Sequence, residues 1–267
     1  MNPEPSFSVH VDVTNPGQFF ACCGLLELSH RLWPGAEGCF ENDQFIVRVA
    51  DTTSETLSEL IRAISDVELM QLDLNDDYSS PIGIPSPFNL RLDWWLDEQS
   101  GGKQLKVWAG SMRNVRIAQA MQHAFRAMDN HAYKLLFSYE RVVFEAGQPE
   151  KKVEPFYFDS RRGSNAQSID IGFTPDTLEM TTMACPTVEL LCLIGLQRCR
   201  PARTNFNRIF DYFAWSVPLA IPIVSVAVSG MTANTGVRGF RFENAFRTGQ
   251  KKHKAFLPAT SIGVRYE

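Results

Sequence analysis

Basic side chains alternate with phenylalanines and asparagines over the C-terminal part of the sequence. The basic members are Arg198, Arg200, Arg203, Arg208, Arg238, Arg241, Arg247, Lys251, Lys252 and Lys254, and between them stand Asn205, Asn207, Phe206, Phe210, Phe240, Phe242 and Phe246. Cations and amides that converge can hold phosphate, and aromatic faces beside them suit base stacking. The pattern predicts nucleic-acid binding, and the alternative is that the rings are core and the arginines are solvated.

The charges of the chain are strongly segregated although its net charge is only −4. Residues 1–100 contain 4 Lys/Arg and 17 Asp/Glu, residues 101–197 contain 11 and 10, and residues 198–267 contain 11 and 3. A polyanion responds to local potential, so phosphate is expected at the last segment. We therefore predict an acidic N-terminal α+β region (1–100), which faces protein, and a basic, nucleic-acid-facing α+β region (101–267), and the two could form one continuous domain.

No sequence motif indicates catalysis. The five histidines are scattered, and neither a Walker pattern nor a GxGxxG sequence is present. We expect a protein that is not an enzyme and has no cofactor or metal. Two alternatives stay open. One is an endoribonuclease with His30 or His10 as acid/base, and the other is a metabolic enzyme with an anionic substrate.

The six cysteines form no Cys-x-x-Cys pair, which indicates a reducing compartment. The N-terminus lacks the pattern of a secretory signal peptide. The most apolar run, 215–228, is about 14 residues long and contains two prolines, so it is too short for a membrane span of roughly 20 residues. We expect a cytoplasmic protein with no membrane contact.

The periodicity of the N-terminal part predicts strands and helices in alternation. Residues 6–13 alternate with period two and indicate a strand. Asn15 suits the N-cap and Pro16 the first turn of a following helix that is apolar nearly all round. Residues 39–50 predict a hairpin, and 53–64 predict an amphipathic helix.

The later elements are predicted in the same way. Residues 111–128 favour an amphipathic helix, 133–145 and 153–160 favour two strands, and 160–165 a basic loop. Pro186 opens an apolar helix, and 215–228 favours a buried strand. The predicted fold class is α+β, with antiparallel sheets and several packed helices.

Several segments resemble one family of CRISPR proteins. The segments are VDVTNPGQFFACCGLLELSHRLWPG (11–35), LKVWAG (105–110), PFYFDSRRG (155–163), SIDIGF (168–173) and TVELLCLIGLQRCRP (187–201). They are similar to the compact large-subunit-like Csb protein of type I-U, also called I-G, CRISPR Cascade effector complexes. The chain departs from that pattern at Ser111, where a glutamine is expected after WAG, and it is shorter than the usual large subunits.

The resemblance implies a non-enzymatic subunit of a crRNA-guided surveillance complex. Its implied partners are crRNA, target DNA near the flanking motif, the other CRISPR effector subunits and a separate helicase-nuclease. Base pairing by the guide carries most of the sequence specificity in such complexes.

Mapped onto this sequence, the motifs place the first choice of nucleic-acid contacts in the charge-balanced middle and leave the C-terminal cluster as a second surface. The candidates are Lys106, Arg113, Arg116, Arg161, Arg162 and Asn165, followed by Arg203, Arg208, Arg238, Arg241, Arg247, Lys251, Lys252 and Lys254.

Overall fold

The computed structural model describes residues 4–50, 53, 55–76, 78–94, 113–126, 128, 135–163, 183–231, 237–246 and 254–263. These residues form helices and several antiparallel sheets, which confirms the predicted α+β class. No helix among them has the length and apolar character needed to cross a bilayer.

The described elements, in chain order, are β1 (Phe7–His10), α1 (Pro16–Leu32), β2 (Glu37–Glu41), β3 (Gln44–Arg48), α2 (Thr56–Asp66), β4 (Met70–Gln71), β5 (Ile82–Ile84), β6 (Leu90–Leu92), α3 (Asn114–Arg126), β7 (Arg141–Val142), β8 (Phe144–Glu145), β9 (Gln148–Lys152), α4 (Ser160–Gly163), β10 (Met183–Ala184), α5 (Pro186–Arg198), β11 (Ala202–Arg203), β12 (Ile209–Ala214), β13 (Leu219–Ala220), α6 (Ile221–Val228), β14 (Arg238–Phe246), β15 (Lys254–Phe256) and β16 (Thr260–Ile262).

Helix α1 is the centre of the fold. As predicted, the Asn15 side chain caps it by accepting hydrogen bonds from the N–H groups of its first turn, and Pro16 occupies that turn. Phe19 stacks on Phe40 with ring centroids 5.1 Å apart, and its centroid lies 4.4 Å from that of Tyr212. The helix therefore packs against two sheets at once, which explains why its sequence is apolar nearly all round.

The first of these sheets, the N-terminal sheet, has the strand order β1-β3-β2-β13 and is antiparallel throughout. The predicted hairpin over 39–50 corresponds to β2 and β3. Strand β13 comes from the basic region but pairs with β2 of the acidic region. The buried apolar residues of both regions also form one continuous cluster, so the two charge regions share a core.

The second sheet, the C-terminal sheet, has the order β11-β12-β14-β15, and β16 pairs with the other end of β14. Phe210 and Tyr212 lie opposite Phe242 and Phe240 in the β12/β14 register, and all four are buried. The other face of these strands carries charged and half-buried side chains. This alternation places the core on one face and polar groups on the other.

Helices α1 and α5 cross at very short range because glycine stands at the crossing on both helices. A Cβ atom at Gly24 would lie 2.0 Å from the carbonyl oxygen of Leu191, and one at Gly195 would lie 2.0 Å from that of Phe20. No side chain other than hydrogen fits between these backbones. The apolar helix predicted from Pro186 onwards is confirmed as α5.

Several element predictions were wrong. Residues 221–228 of the predicted buried strand form helix α6, and Ser160–Gly163 form the helical turn α4 where a loop was expected. The segment between the two strands predicted at 133–145 and 153–160 contributes strand β9, while 153–159 forms no strand. Short apolar runs fit helix and strand equally well, and the contacts that decide between them are distant in sequence.

Candidate nucleic-acid interface

The hairpin between β11 and β12 projects a tight polar turn at one end of the C-terminal sheet. The Thr204 hydroxyl accepts a hydrogen bond from the Phe206 N–H at 3.1 Å and donates one to the Ile209 carbonyl at 2.8 Å. Asn205 and Asn207 on either side of Phe206 are exposed, and Phe206 itself is 68% exposed. The turn therefore holds an aromatic ring out in water on a fixed backbone.

Arg208 closes this turn and connects it to the neighbouring hairpin. Its backbone adopts a positive φ of 64°, and its carbonyl accepts a hydrogen bond from the Asn244 N–H at 2.9 Å. Its guanidinium lies 4.6 Å from the ring centroid of Phe246 and 3.6 Å from a carboxylate oxygen of Glu243. Its Nε atom is buried without a hydrogen-bond partner.

The Lys254 ammonium lies 5.6 Å from the Phe246 ring centroid. Both cations therefore lie over the same ring. The ring attracts each of them modestly and so helps to orient both side chains. We name these side chains the sheet-end cluster: Arg203, Phe206, Arg208, Phe246 and Lys254.

Three of the phenylalanines that alternate with the basic residues belong to the core. Phe210, Phe240 and Phe242 are buried, and the Phe242 ring centroid is 4.8 Å from that of Phe256. For these three rings the alternative interpretation of the sequence pattern, in which the phenylalanines are core residues, therefore holds. Of the five interleaved phenylalanines, Phe206 is the one that is largely exposed.

Arg241 and Arg238 follow each other along β14 with different surroundings. Arg241 forms a two-pronged ion pair with Asp211, directly opposite on β12, with Nε to Oδ1 at 2.7 Å and Nη2 to Oδ2 at 2.8 Å. The hydrogen bond that Arg241 donates to this carboxylate raises the pKa of the arginine. Arg238 is exposed at the start of the strand. The structure therefore offsets the charge of Arg241 within the sheet.

Arg161 and Arg162, two of the first-choice candidates, lie in α4 among carboxylates. Arg161 Nε is 2.9 Å from Asp159 Oδ1, and its Nη2 donates to the Phe137 carbonyl at 2.7 Å. Both arginines also form ion pairs with Glu140. Their side chains are 34% and 12% exposed. Their part in nucleic-acid contact stays a prediction.

A buried polar cluster, formed by Asn15, Asp159, Ser160, Arg161 and Glu189, holds this turn against the helix crossing. Asn15 Nδ2 donates to Asp159 Oδ1 at 2.8 Å, and its Oδ1 accepts from the Ser160 N–H at 3.1 Å. The Glu189 carboxyl accepts from the Asp159 N–H at 3.1 Å. Full burial raises the pKa of Glu189 to about 8, although backbone N–H groups counteract the shift.

This cluster was not predicted from the sequence, although two of its members, Asn15 and Glu189, carry a signal. Asn15 was recognised as a helix cap, but its second partner is 144 residues away along the chain. Glu189 is the one acidic residue in the apolar helix α5. An acid on a helix that is otherwise apolar all round must be buried, and a buried acid needs partners.

Arg113 and Arg116 lie at the start of α3 on another part of the surface. Arg116 Nη1 is 3.3 Å from Glu145 Oε1, and the Lys151 ammonium contacts the same carboxylate at 2.6 Å. Arg113 is partly buried just before the helix. The remaining candidates, namely Lys106, Asn165, Arg247, Lys251 and Lys252, lie outside the described residues.

The two histidines proposed as acid/base groups have separate surroundings. His10 Nδ1 is 3.1 Å from Asp43 Oδ2 on an exposed hairpin, and His30 Nδ1 accepts a hydrogen bond from the Gly35 N–H at 3.3 Å. No group of three or more metal-ligating side chains occurs in the part of the chain that the structure describes.

No protein-family model matches this chain, and no match was found among the curated proteins or the solved structures.

Proposed function

We propose that this chain is a non-enzymatic subunit of a crRNA-guided type I CRISPR surveillance complex. In this proposal it contacts target DNA near its flanking motif, crRNA, or both, and it helps to recruit a helicase-nuclease. The proposal joins the family resemblance of the motifs to the surface chemistry of the basic region.

The sheet-end cluster is the observation that carries the proposal. It collects three cations and two rings at one end of a sheet, in a segment that contains 11 Lys/Arg against 3 Asp/Glu. Phosphate binding needs converging positive charge and donors, and aromatic faces add sequence-tolerant stacking. The arrangement suits a nucleic-acid strand that passes over this end of the β-sheet.

The packing of the motifs also supports the proposal. The segments 11–35, 155–163 and 187–201, which carry the resemblance, meet at the buried polar cluster and the α1/α5 crossing. Residues that maintain one internal arrangement are those that a family with a common fold must keep. The resemblance thus concerns residues that determine the fold as well as surface residues.

The experiment is co-expression of the tagged chain with the other effector subunits and crRNA, followed by purification and nucleic-acid binding at several salt concentrations. We expect the chain to join a crRNA-containing complex, with an affinity that falls as salt rises. Arg203→Ala, which removes the exposed arginine of the sheet-end cluster, should lower the salt slope by about 0.7–0.9, the change expected for the loss of one phosphate contact. Arg62→Ala, an exposed arginine on α2 in the acidic region, is the matched control.

Two results would contradict this proposal, and the second of them would favour a different function. If the chain joins no such complex and binds neither DNA nor RNA in a salt-dependent way, the binding function is wrong. If it cleaves repeat RNA at a specific position and His10→Ala or His30→Ala abolishes the cleavage, the chain is a crRNA-processing endoribonuclease instead.

A further inference from the structure

We infer that Phe206 is a stacking platform for one unpaired base, so that the sheet-end cluster binds single-stranded nucleic acid in preference to a duplex. The inference rests on the proposed function and specifies its ligand. It assigns the base contact to one side chain at the tip of the β11–β12 hairpin.

The first argument is the exposure of the ring on a constrained backbone. Among the described residues, the exposed aromatic side chains are Phe206 and Tyr78, and Tyr78 belongs to the acidic region. The hydrogen bonds of Thr204 fix the turn, so the backbone that carries the Phe206 ring loses little conformational freedom when a ligand covers the ring. Covering this ring also removes apolar surface from water.

The second argument is the distribution of charge around the turn. Arg203 precedes the turn and Arg208 follows it. The Lys254 ammonium and the Arg208 guanidinium both lie over the Phe246 ring. Because Phe246 is already covered by cations, Phe206 is the ring of the cluster that is open to a base. Arginines that directly precede and follow the turn of an exposed ring suit a base whose own phosphates lie nearby.

The third argument concerns the state of the base. In a duplex both faces of a base are covered by its stacked neighbours, so a protein ring can stack only on a base that is unpaired and splayed out. No second exposed ring lies beside Phe206 among the residues that the structure describes, and a single ring on a narrow turn suits one base. Stacking is tolerant of base identity, since every base has a π face.

The test measures binding of the purified full chain by fluorescence anisotropy with three labelled probes: oligothymidylate, an abasic strand of equal length, and a duplex of equal length. We expect Phe206→Ala to raise the Kd for oligothymidylate about 5- to 150-fold, which corresponds to ~1–3 kcal/mol. The Kd for the abasic strand and the salt slope should stay unchanged, because the phosphate contacts remain. Phe206→Trp should restore the affinity, and its added fluorescence should be quenched by the oligothymidylate.

Tyr78→Ala is the matched control, because it removes an exposed ring from the acidic region and should leave every Kd unchanged. Thermal unfolding of both alanine variants should match that of the wild type, since neither ring is buried. Equal oligothymidylate affinity for the wild type and Phe206→Ala would overturn the inference and leave the proposed function standing. So would an equal loss on the abasic strand. If no probe binds even at low salt, the inference fails, and the proposed function fails with it when the chain also joins no crRNA-containing complex.

Discussion

The close crossing of α1 and α5 can be tested by the sign of the change in the free energy of unfolding when one of its glycines is replaced by alanine. In an isolated helix, replacing glycine by alanine stabilises by about 1 kcal/mol. At Gly195 the added Cβ would stand 2.0 Å from the Phe20 carbonyl oxygen, whereas ordinary contact begins at 3.4 Å. The two backbones would have to separate by about 1.4 Å for Gly195→Ala to fit.

The clash should outweigh the gain in helix propensity. Overpacking in a close-packed core costs about 1–3 kcal/mol, and more when backbone rather than a side chain must move. Separation would also loosen the apolar contacts along both helices, because α1 and α5 are buried along most of their length. We expect Gly195→Ala to lower the free energy of unfolding by roughly 2–4 kcal/mol.

Urea unfolding followed by circular dichroism measures this change. Gly263→Ala is the control, because a Cβ there meets no atom within 4 Å and the residue lacks a positive φ. It should change stability by less than about 0.5 kcal/mol. An unchanged or raised free energy of unfolding for Gly195→Ala would refute the close crossing, since helix propensity would then be the dominant effect.

Three further predictions concern polar groups. Burial raises the pKa of Glu189 to about 8 from an unfolded-state pKa of 4.5, so its contribution to stability should be complete below pH 4.5 and be lost as pH rises through 8. Urea unfolding across that pH range should show this decline for the wild type, and Glu189→Gln should remove it. Asn15→Ala should cost about 2–4 kcal/mol in the same assay, because it removes a helix cap and a hydrogen bond to buried Asp159; a loss below ~0.5 kcal/mol would contradict both roles. A double-mutant cycle on Arg241 and Asp211 should give a coupling of about 1 kcal/mol or less, since the arginine is partly exposed, and a larger value would mean that solvent does not screen the pair.

The elements that could be predicted from the sequence are those with a local cause. The cap at Asn15, the β2–β3 hairpin and helix α5 all follow from short-range patterns of turn residues and apolar spacing. The amphipathic helix predicted over 111–128 corresponds to α3, in which Val115 and Phe125 are both buried. In each case, the residues that decide the structure lie within a few positions of one another.

The wrong predictions have non-local causes. Residues 158–161 contain no pattern typical of a helix, and the turn there is held by Asn15 and Glu189 from two other parts of the chain. Helix α6 contains only apolar residues and one serine after its proline, so its composition does not distinguish helix from strand. The choice between the two depends on packing that the sequence does not display.

Ion pairing changes what the charge count of the basic region means. Arg198 pairs with Glu27 of α1, Arg241 with Asp211, and Arg208 with Glu243, although these partners are distant in sequence. Pairing offsets local potential, so segmental counting overstates the positive charge that a phosphate would meet at Arg198 and Arg241.

The charge that remains effective for binding is therefore concentrated at fewer places than the sequence suggests. Arg208 is held by a ring as well as by a half-exposed carboxylate, and a ring does not neutralise a cation. Phe206 projects from the same turn, so an arginine whose ion pair is long and partly exposed lies next in the chain to the open aromatic face. Affinity and ligand class are thus expected to depend on that turn, and mutations at the buried phenylalanines should act through folding alone.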